Sequence, residues 1–550
     1  MRSQSMKETR AMKVLARLAS IGLGVLLPSC TLIIDRNAEQ CETNDDCAGF
    51  PGTTCSEERV CSEPLCATNQ ECVEQFGEFH VCSAQTHACA DMRSTECTVI
   101  EGDYEKDDAL LIGVVVPTDG EAAQTGKSIT NAVRLALSEI ATNANGLPPL
   151  PGKSMQRPVV LVGCNDKSDA DTAAAAGQHL VSLGVPAIIG AAFSGITIKM
   201  ATEATIPGGT LVISPSATSV AITDLSDQGL VWRTAPSDIY QAEALVQYSA
   251  RLQEDVRLAL GLQAGDKLRV AILHKGDSYG TGLGRVLEAG LVLNGTSALD
   301  PQNNGFYRRF DYGDPDNATT SAPRYEEAVQ AALDLEPHII FSLGTRESVL
   351  DVLAPIEEGW QLGAYRPRYV LSDGSVIPQL WESVVQGDTD LRHRITGTIP
   401  GTSNPRFNAF RGDYIGQFND GTSPDVFGAA GAYDAAYLLA YSAVALGGEA
   451  PTGARLAGAL SKMIPPGDPV NVGEQISSTF DALLAGASID VNGASGALDF
   501  DPEDGEAASD IQIWCMPANG AGDAQSVTFS GLYLAGSTST LVGTLGSVCD

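Results

Sequence analysis

Basic and aromatic residues are scarce in this chain of 550 residues. Lys and Arg number 34 against 68 Asp and Glu, which gives a formal net charge of -34 at pH 7. Nucleic-acid binding depends on basic patches that neutralise phosphates, so this charge balance argues against that class of function. Aromatic residues make up only 6%, yet 43% of residues are hydrophobic, which excludes a wholly disordered or collagen-like chain. At about 150 residues per domain, the length allows three or four domains.

The apolar run near the N-terminus, from Leu18 to Leu27, is too short to span a bilayer. Basic residues precede this run, and Leu27-Pro28-Ser29-Cys30 closes it. The order indicates an export signal over residues 1–29 that resembles a bacterial lipoprotein signal, with an ordinary signal peptide as the alternative. We therefore expect an exported lipoprotein, facing the periplasm or the cell surface and anchored to a membrane by acyl chains on Cys30.

Cysteines are concentrated near the N-terminus, in a Cys-rich module expected over residues 30–105. Two tandem units of four cysteines each are too short and too poor in apolar residues to fold unaided, which favours disulfides over a zinc site. Three pairings are possible within each unit, and the spacing does not choose between them. Cys515 with Cys549 is a further expected pair. The disulfide cysteines of the units are Cys41, Cys47, Cys55 and Cys61, then Cys66, Cys72, Cys82 and Cys89.

From about Lys106 onward, short apolar runs alternate with helical patterns. The runs are rich in Val, Ile and Leu, which predicts strands that are buried on both faces. Strands that alternate with helices predict parallel sheets covered by helices, and ligands bind at the carboxyl ends of such strands. The predicted strands cover residues 110–116, 159–163, 187–190, 210–214, 269–274, 338–343 and 368–372.

Two loops in this region imitate enzyme motifs. The stretch from Gly120 to Ser128 is similar to a nucleotide-binding P-loop, but Glu121 stands where the first glycine should be, and its charge would repel phosphates. The stretch from Gly276 to Gly280 matches a hydrolase nucleophile elbow around Ser278. An esterase-like hydrolase, with His338 or His393 as the base, is therefore an alternative hypothesis. We expect neither a cofactor nor a metal.

Seven segments, taken in chain order, resemble the type I periplasmic substrate-binding proteins, and in particular those that bind branched-chain amino acids. The resemblance implies two Rossmann-like α/β lobes with parallel sheets, joined by three crossovers, with the ligand in the cleft between them. It also implies one lobe from 106–233 and 399–490, and a second from 234–398 and 491–550. The segments are Ile112–Pro117, 162–166, Ile189–Ser194, Ile213–Thr218, Trp232–Asp238, Asp277–Gly280 and Gly496–Asp501.

The resemblance also implies a set of ligand-binding residues. Ser194 would receive the ligand carboxylate, and Ser216, Ala217 and Thr218 would offer backbone and hydroxyl groups. Tyr279 would close over the ligand, and Asp373 would face its ammonium group. Thr125 and either Thr345 or Arg346 stand where the family often has aromatic residues, so a preference for leucine does not follow.

The function expected from the resemblance is that of a solute receptor without covalent chemistry. Its ligand would be a small zwitterion, an amino acid or a related amide. Its partner would be a membrane permease of an ABC-type uptake system, or a sensor. The alternative, favoured by the added Cys-rich module, is a surface sensory or scaffold lipoprotein that uses the same fold without transport.

Overall fold

The computed structural model describes residues 40–50, 53–55, 59–62, 66–83, 86–263, 265–317, 321–401, 404–517 and 526–549. The expected signal over residues 1–29 and the expected acylation at Cys30 lie outside these ranges. Contacts divide the chain into two compact units, residues 1–63 and residues 64–550. Within the described ranges, no helix combines the length and hydropathy needed to cross a bilayer.

The first unit is held together by two disulfides. It contains a 3-10 helix, Asn44–Cys47, and two short antiparallel strands, Thr54–Cys55 (β1) and Cys61–Ser62 (β2). Cys41 bonds Cys55 and Cys47 bonds Cys61. The first cysteine therefore pairs with the third and the second with the fourth, a choice that the spacing alone left open.

The second cysteine unit repeats this pairing within the larger unit. Cys66 bonds Cys82 and Cys72 bonds Cys89. Its elements are a helix, Asn69–Phe76 (α1), and a hairpin of His80–Cys82 (β3) and Cys89–Asp91 (β4). The backbone amide of Asn69 donates to Asp107 Oδ1 at 2.7 Å, so this cysteine unit is tied to the lobe that follows it.

The next segment builds the first lobe around a six-stranded sheet of order β10-β9-β8-β6-β7-β5. All neighbours are parallel except β5, which runs antiparallel to β7 and is bonded to it by the Cys97–Cys164 disulfide. The strands are Cys97–Glu101 (β5), Leu110–Val116 (β6), Val159–Asn165 (β7), Ala187–Gly190 (β8), Leu211–Ser214 (β9) and Val231–Arg233 (β10). The helices are Ala123–Ala144 (α2), Ala170–Ser182 (α3), Ser194–Met200 (α4), Ile206–Gly208 (α5) and Val220–Thr223 (α6), with a π-helical turn, Ala201–Thr205, between α4 and α5.

The second lobe contains an eight-stranded sheet of order β14-β11-β15-β16-β17-β22-β23-β24, parallel from β14 to β17 and antiparallel beyond. Its strands before the second crossover are Val270–His274 (β11), Val292–Leu293 (β12), Thr296–Ser297 (β13), Tyr307–Asp311 (β14), Ile339–Leu343 (β15), Arg368–Leu371 (β16) and Ile395–Pro400 (β17). Its helices are Asp238–Leu260 (α7), Ser278–Gly290 (α8), Tyr325–Leu335 (α9), Ala354–Gly359 (α10) and Thr389–Arg394 (α11), with π-helical turns at Ser348–Leu353 and Leu380–Val384.

The chain then returns to the first lobe before it completes the second sheet. In the core of the first lobe α13 packs against α2, and Tyr433 and Tyr437 each donate to Glu139 Oε2 at 2.6 Å. The returning elements are Pro405–Gln417 (α12), Ala429–Ala445 (α13), Gly453–Leu460 (α14), Asp468–Asn471 (β18), Ile476–Leu484 (α15), Ile489–Asn492 (β19), Phe500–Asp501 (β20) and Glu506–Ala507 (β21). The last strands are Ile511–Cys515 (β22), Thr528–Ala535 (β23) and Thr540–Gly543 (β24), and Cys515 bonds Cys549.

The structure confirms the expected α/β architecture of two lobes with three crossovers and a disulfide-rich N-terminal part, but it moves two boundaries. Strand β5 belongs to the first sheet because it pairs with β7, although it lies inside the expected Cys-rich module. The first lobe also extends to Ala507 rather than ending at residue 490. The reason is packing: Leu498, Phe500 and Ala507 are buried in its core, and the ring of Phe500 lies 5.2 Å from that of Trp232.

Candidate ligand-binding cleft

A cavity of about 570 Å³, partly open to solvent, lies between the carboxyl ends of the two sheets. We call it the inner pocket. Residues from both lobes line it: Thr125, Ala192, Phe193, Ser194, Ser216, Thr218, Asp277, Tyr279, Thr345, Asp373, Gly374, Val376, Ile377, Val426 and Phe427.

The first lobe supplies hydroxyl groups. Ser194 begins α4 directly after β8, and its Oγ accepts a hydrogen bond from the Ser219 amide at 3.2 Å. Ser216 and Thr218 follow β9, and Ser216 Oγ donates to the Ala192 carbonyl at 2.8 Å. A hydroxyl both donates and accepts, so these side chains can serve either a carboxylate or an amide.

The second lobe supplies a buried carboxylate with two neutral donors. Asp373 follows β16 and is 3% exposed. Its Oδ1 accepts from Tyr279 OH at 2.5 Å and from Gln241 Nε2 at 2.7 Å. Burial raises the pKa of Asp373 to about 6, although the hydrogen bonds from Tyr279 and Gln241 oppose the shift. This carboxylate therefore lacks a cationic partner among its hydrogen-bond donors and is suited to receiving one.

A second buried carboxylate lies one helical turn before Gln241. Asp238 begins α7 at the first crossover and is fully buried. Burial, and then repulsion from Asp373, raise its pKa well above the ordinary value. Neither Asp238 oxygen has a hydrogen-bond partner among the described residues. Asp238 therefore holds its proton more readily than an ordinary carboxyl group does, and Asp373 is the member of the pair that lines the inner pocket.

The charge lining the inner pocket is entirely negative. Asp277 and Asp373 are its ionisable acids, and neither Lys nor Arg is among the residues that line it. Lys275 lies two residues before Asp277 in the sequence. It is buried, and its Nζ is 3.3 Å from Asp277 Oδ2. Burial alone would lower the pKa of Lys275, but Asp277, Asp316 and Glu347 outweigh it and raise the value. Lys275 is therefore already neutralised by protein carboxylates.

Apolar side chains form the rest of the wall. They are Ala192 and Phe193 of the first lobe, Val376 and Ile377 of the second, and Val426 and Phe427 from the loop before α13. Such a surface can bury the hydrocarbon part of a ligand at about 25 cal/mol per Å².

The two lobes touch across the cleft, as expected of a closed arrangement. Ser219 Oγ of the first lobe donates to the Ser278 carbonyl of the second at 2.9 Å. Farther along, Arg346 Nη1 lies 2.8 Å from Glu121 Oε2. A ligand in the inner pocket would thus be contacted from both sides.

The structure brings seven of the nine expected binding residues to this pocket, and two lie elsewhere. The seven are Thr125, Ser194, Ser216, Thr218, Tyr279, Thr345 and Asp373. Ala217 is fully buried away from it, because its amide donates to Ser214 Oγ and its carbonyl accepts from Arg233. Arg346 points instead to Glu121 in an adjoining groove.

Sequence reasoning missed Gln241 and the apolar wall. Gln241 lies on the inner face of α7, 132 positions before the carboxylate that it contacts, so no local spacing connects them. Phe193 directly precedes Ser194, shortly after the end of β8. Its place after a predicted strand could have identified it as a pocket residue.

The enzyme-like motifs have structural explanations. Ser278 Oγ is buried without a hydrogen-bond partner among the described residues. His338 and His393 precede β15 and β17, so they lie at the amino ends of these strands. Ser278 follows the carboxyl end of β11, about one strand length or roughly 16 Å away. Gly126 of the P-loop-like stretch is needed for packing, since a Cβ there would lie 1.8 Å from the Pro117 carbonyl oxygen.

A family model described as periplasmic binding protein matches residues 110–299. The leucine-specific-binding protein of Salmonella typhimurium is 29% identical over 184 residues, which cover 34% of this chain and 44% of that protein. The Leu/Ile/Val/Thr-binding protein of the same organism is 27% identical over 222 residues, or 40% and 53% of the two chains. The matched part thus spans about half the length of these relatives.

Solved structures extend the likeness to the whole two-lobed part. A branched-chain amino acid transporter substrate binding protein from Streptococcus pneumoniae, in complex with isoleucine, has a TM-score of 0.54 at 18% identity and covers 76% of this chain and 99% of its own. The fold is that of the type I periplasmic binding proteins. A solute binding protein of an ABC transporter from R. palustris, in complex with 4-hydroxybenzoate, also has a TM-score of 0.54, at 15% identity, and covers 77% of this chain and 97% of its own. These matches confirm the periplasmic binding protein fold that the sequence predicted. The predicted disulfide-rich N-terminal part of this chain is also present in the structure.

Proposed function

We propose that this protein is an extracytoplasmic receptor for a small amino-acid-like zwitterion and that it carries out no covalent chemistry. The observation that carries the proposal is Asp373, a buried carboxylate in the interlobe pocket whose hydrogen-bond donors, Tyr279 and Gln241, are both neutral. An ammonium group placed there would form charge-assisted hydrogen bonds with it. The hydroxyls of Ser194, Ser216 and Thr218 would receive the carboxylate of the same ligand.

The charge of the pocket favours a zwitterion over a simple organic acid. One structural neighbour holds 4-hydroxybenzoate and another holds isoleucine. In the present chain two acids line the pocket: Asp277, which is paired with Lys275, and Asp373, whose hydrogen-bond donors are neutral. A ligand with a carboxylate alone would leave the charge of Asp373 unpaired, whereas a zwitterion brings a cation to it.

The available contacts are sufficient for useful affinity. Hydrogen bonds to charged groups contribute about 1.5 to 3 kcal/mol each, and a micromolar Kd needs about 8 kcal/mol net. Four or five such bonds, together with burial of an apolar side chain of the ligand against Phe193 and Val376, would reach about 8 kcal/mol. This holds after part of the gain is lost to the cost of ordering the ligand and the pocket side chains.

We further propose that lobe closure is read by an ABC-type permease, with the three crossovers as the hinge. The second candidate is a sensory or scaffold role without transport. The Cys97–Cys164 disulfide favours it, because it fixes the strand that follows the cysteine units to the sheet of the first lobe. Uptake of radiolabelled amino acids by cells that lack the gene distinguishes the two roles: transport predicts a specific loss, and a scaffold predicts none.

The proposal includes a lipid anchor at Cys30. Metabolic labelling with a radioactive fatty acid should mark the wild-type protein and not Cys30→Ser. Label on Cys30→Ser, or its absence from the wild type, would contradict the anchor without affecting the receptor proposal.

Calorimetric titration with the standard amino acids and their amides tests the receptor role. We expect at least one to bind the wild type with micromolar affinity and to bind Asp373→Asn much more weakly. If no zwitterion binds, or if Asp373→Asn binds it equally well, the receptor proposal is wrong. Mass spectrometry of small molecules retained by the purified protein would identify the natural ligand.

A further inference from the structure

A second cavity adjoins the inner pocket. It has a volume of about 1,400 Å³, partly open to solvent, and we call it the outer groove. The two cavities share seven lining residues: Thr125, Phe193, Thr345, Gly374, Val376, Ile377 and Val426. The two cavities therefore adjoin, and a ligand held by Asp373 would lie beside the outer groove.

Two residues with short side chains, one from each lobe, line both cavities. Thr125 comes from the first lobe and Thr345 from the second, and both line both cavities. The hydroxyl of Thr345 donates to Glu347 at 2.5 Å, which holds the threonine against its own lobe. Both side chains are short, and they border the region where the two cavities adjoin.

The outer groove is strongly acidic on both walls. Its cations are Lys167 and Arg346, and Arg346 is paired with Glu121. Its acids are Asp119, Glu121 and Asp169 from the first lobe and Asp316, Glu347 and Asp351 from the second. Asp316 is paired with the buried Lys275, and Glu347 accepts from Tyr312 and Thr345. Asp119 and Asp351 accept no hydrogen bond from a described residue, so their charge remains available.

The same carboxylates also affect the pKa of a buried residue, Asp166. Asp166 is fully buried, and its Oδ2 has no hydrogen-bond partner among the described residues. Burial is the main cause that raises its pKa to about 7, and repulsion from Asp316, Asp169 and Asp119 adds to it. Three carboxylates of the outer groove, from both lobes, therefore disfavour the ionised form of Asp166. A cation in the groove would weaken this repulsion.

We propose that the ligand carries a second positive charge, at the end of a side chain that passes between Thr125 and Thr345 into the outer groove. The ligand class is an amino acid, or an amide of one, with a terminal amine or guanidinium group. This inference rests on the proposed function, because it assumes that the α-ammonium group is held by Asp373. The acidic walls would select the distal charge, and the open side of the groove would allow more than one chain length.

Lysine and norleucine provide a matched test, because both carry a straight four-carbon side chain and only lysine ends in an ammonium group. Calorimetry of the full chain at pH 7.5 and low salt should show lysine binding at least tenfold more tightly than norleucine. The advantage should shrink in 0.5 M salt, since the groove is open and salt at that concentration screens charges within a few ångströms. Nε-acetyl-lysine, which lacks the distal charge, should bind no better than norleucine.

Variants of the groove carboxylates test whether the outer groove causes the preference for lysine over norleucine. The double variant Asp119→Asn/Asp351→Asn should reduce the lysine advantage severalfold and leave norleucine binding unchanged. The control Asp255→Asn/Glu327→Gln removes the same charge from exposed helical positions that do not line either cavity, and it should leave the lysine to norleucine ratio as in the wild type.

The outcomes separate this inference from the proposal on which it rests. If norleucine or leucine binds as tightly as lysine, the second charge is wrong and the receptor role stands. If the control pair lowers the ratio as much as the groove pair, the preference comes from overall charge and the groove assignment is wrong. If another standard amino acid or amide binds and neither lysine nor arginine does, only this inference is wrong; if no member of that panel and none of these analogues binds, both the receptor role and this inference are wrong.

Discussion

Replacement of Asp373 by Asn should weaken ligand binding and at the same time stabilise the empty protein. Asn keeps the shape of the side chain, and its Oδ1 can still accept from Tyr279 and Gln241. What is lost is the charge that an ammonium group would meet. Hydrogen bonds to a charged partner contribute about 1.5 to 3 kcal/mol, so we expect Kd to rise about 10- to 150-fold at pH 7.5.

The stability gain follows from the raised pKa. Asp373 has a pKa of about 6 in the fold, against an ordinary value of 3.8. Because the native state holds this proton more tightly, the ionised residue lowers stability above pH 6, and the cost disappears below about pH 4. At about 1.4 kcal/mol per unit the cost at pH 7.5 is about 3 kcal/mol, so the variant should melt several degrees higher there and no higher at pH 4.

Binding should show the matching pH dependence. The wild type should bind an ammonium-bearing ligand about tenfold more weakly at pH 5 than at pH 7.5, because about one carboxylate in eleven is ionised at pH 5 with a pKa of about 6. Asp373→Asn should lack this dependence. Titration calorimetry at both pH values, with thermal melts of the ligand-free protein, measures the two effects.

Asp434 offers a matched control in the core of the first lobe. Burial also raises its pKa to about 6, but its two oxygens accept from the amides of Ala494 and Ser495. An Asn side chain would remove the same cost of ionisation but present its NH2 to one of these donors, which costs about 1 to 3 kcal/mol, so Asp434→Asn should gain less stability than Asp373→Asn at pH 7.5, be less stable than the wild type at pH 4, and keep its affinity. The reasoning is refuted if Asp373→Asn binds like the wild type, or if it melts lower at pH 7.5.

Three further predictions use the same structure. Tyr279→Phe removes a donor that opposes the raised pKa of Asp373, so the midpoint of the binding pH profile should move upward and affinity at pH 6 should fall severalfold; an unchanged midpoint would contradict the contact. Ser278→Ala should leave ligand affinity unchanged and cost no stability, because its hydroxyl is buried without a partner among the described residues; ester turnover that disappears with this variant would instead establish a hydrolase. Replacing both Cys97 and Cys164 by Ala opens a loop of 67 residues and should lower the free energy of unfolding by about 4 kcal/mol, seen as a lower urea midpoint than in the wild type under the same non-reducing conditions.

The sequence identified most of the pocket because the pocket is built from strand ends. Ser194, Thr218, Tyr279 and Asp373 each follow a short buried run, and parallel strands bring such positions to one edge. Gln241 could not be found in this way, because it lies within a helix and contacts Asp373 only after the lobes are assembled. Ala217 shows the opposite error, since its place in the segment was expected correctly but its backbone groups bond within the first lobe.

Composition, cysteine repeats and the alternation of apolar runs with helical patterns determined by themselves the α/β class, the two cysteine units and the order of strands, because these depend on local periodicity and on neighbours along the chain. Only the tertiary structure decided which cysteines pair within the two units, that the first lobe continues to Ala507, and that Thr125 and Thr345 line both the inner pocket and an acidic groove. These features join residues tens to hundreds of positions apart. Their geometry is set by how two sheets pack and close on each other, which no local pattern records.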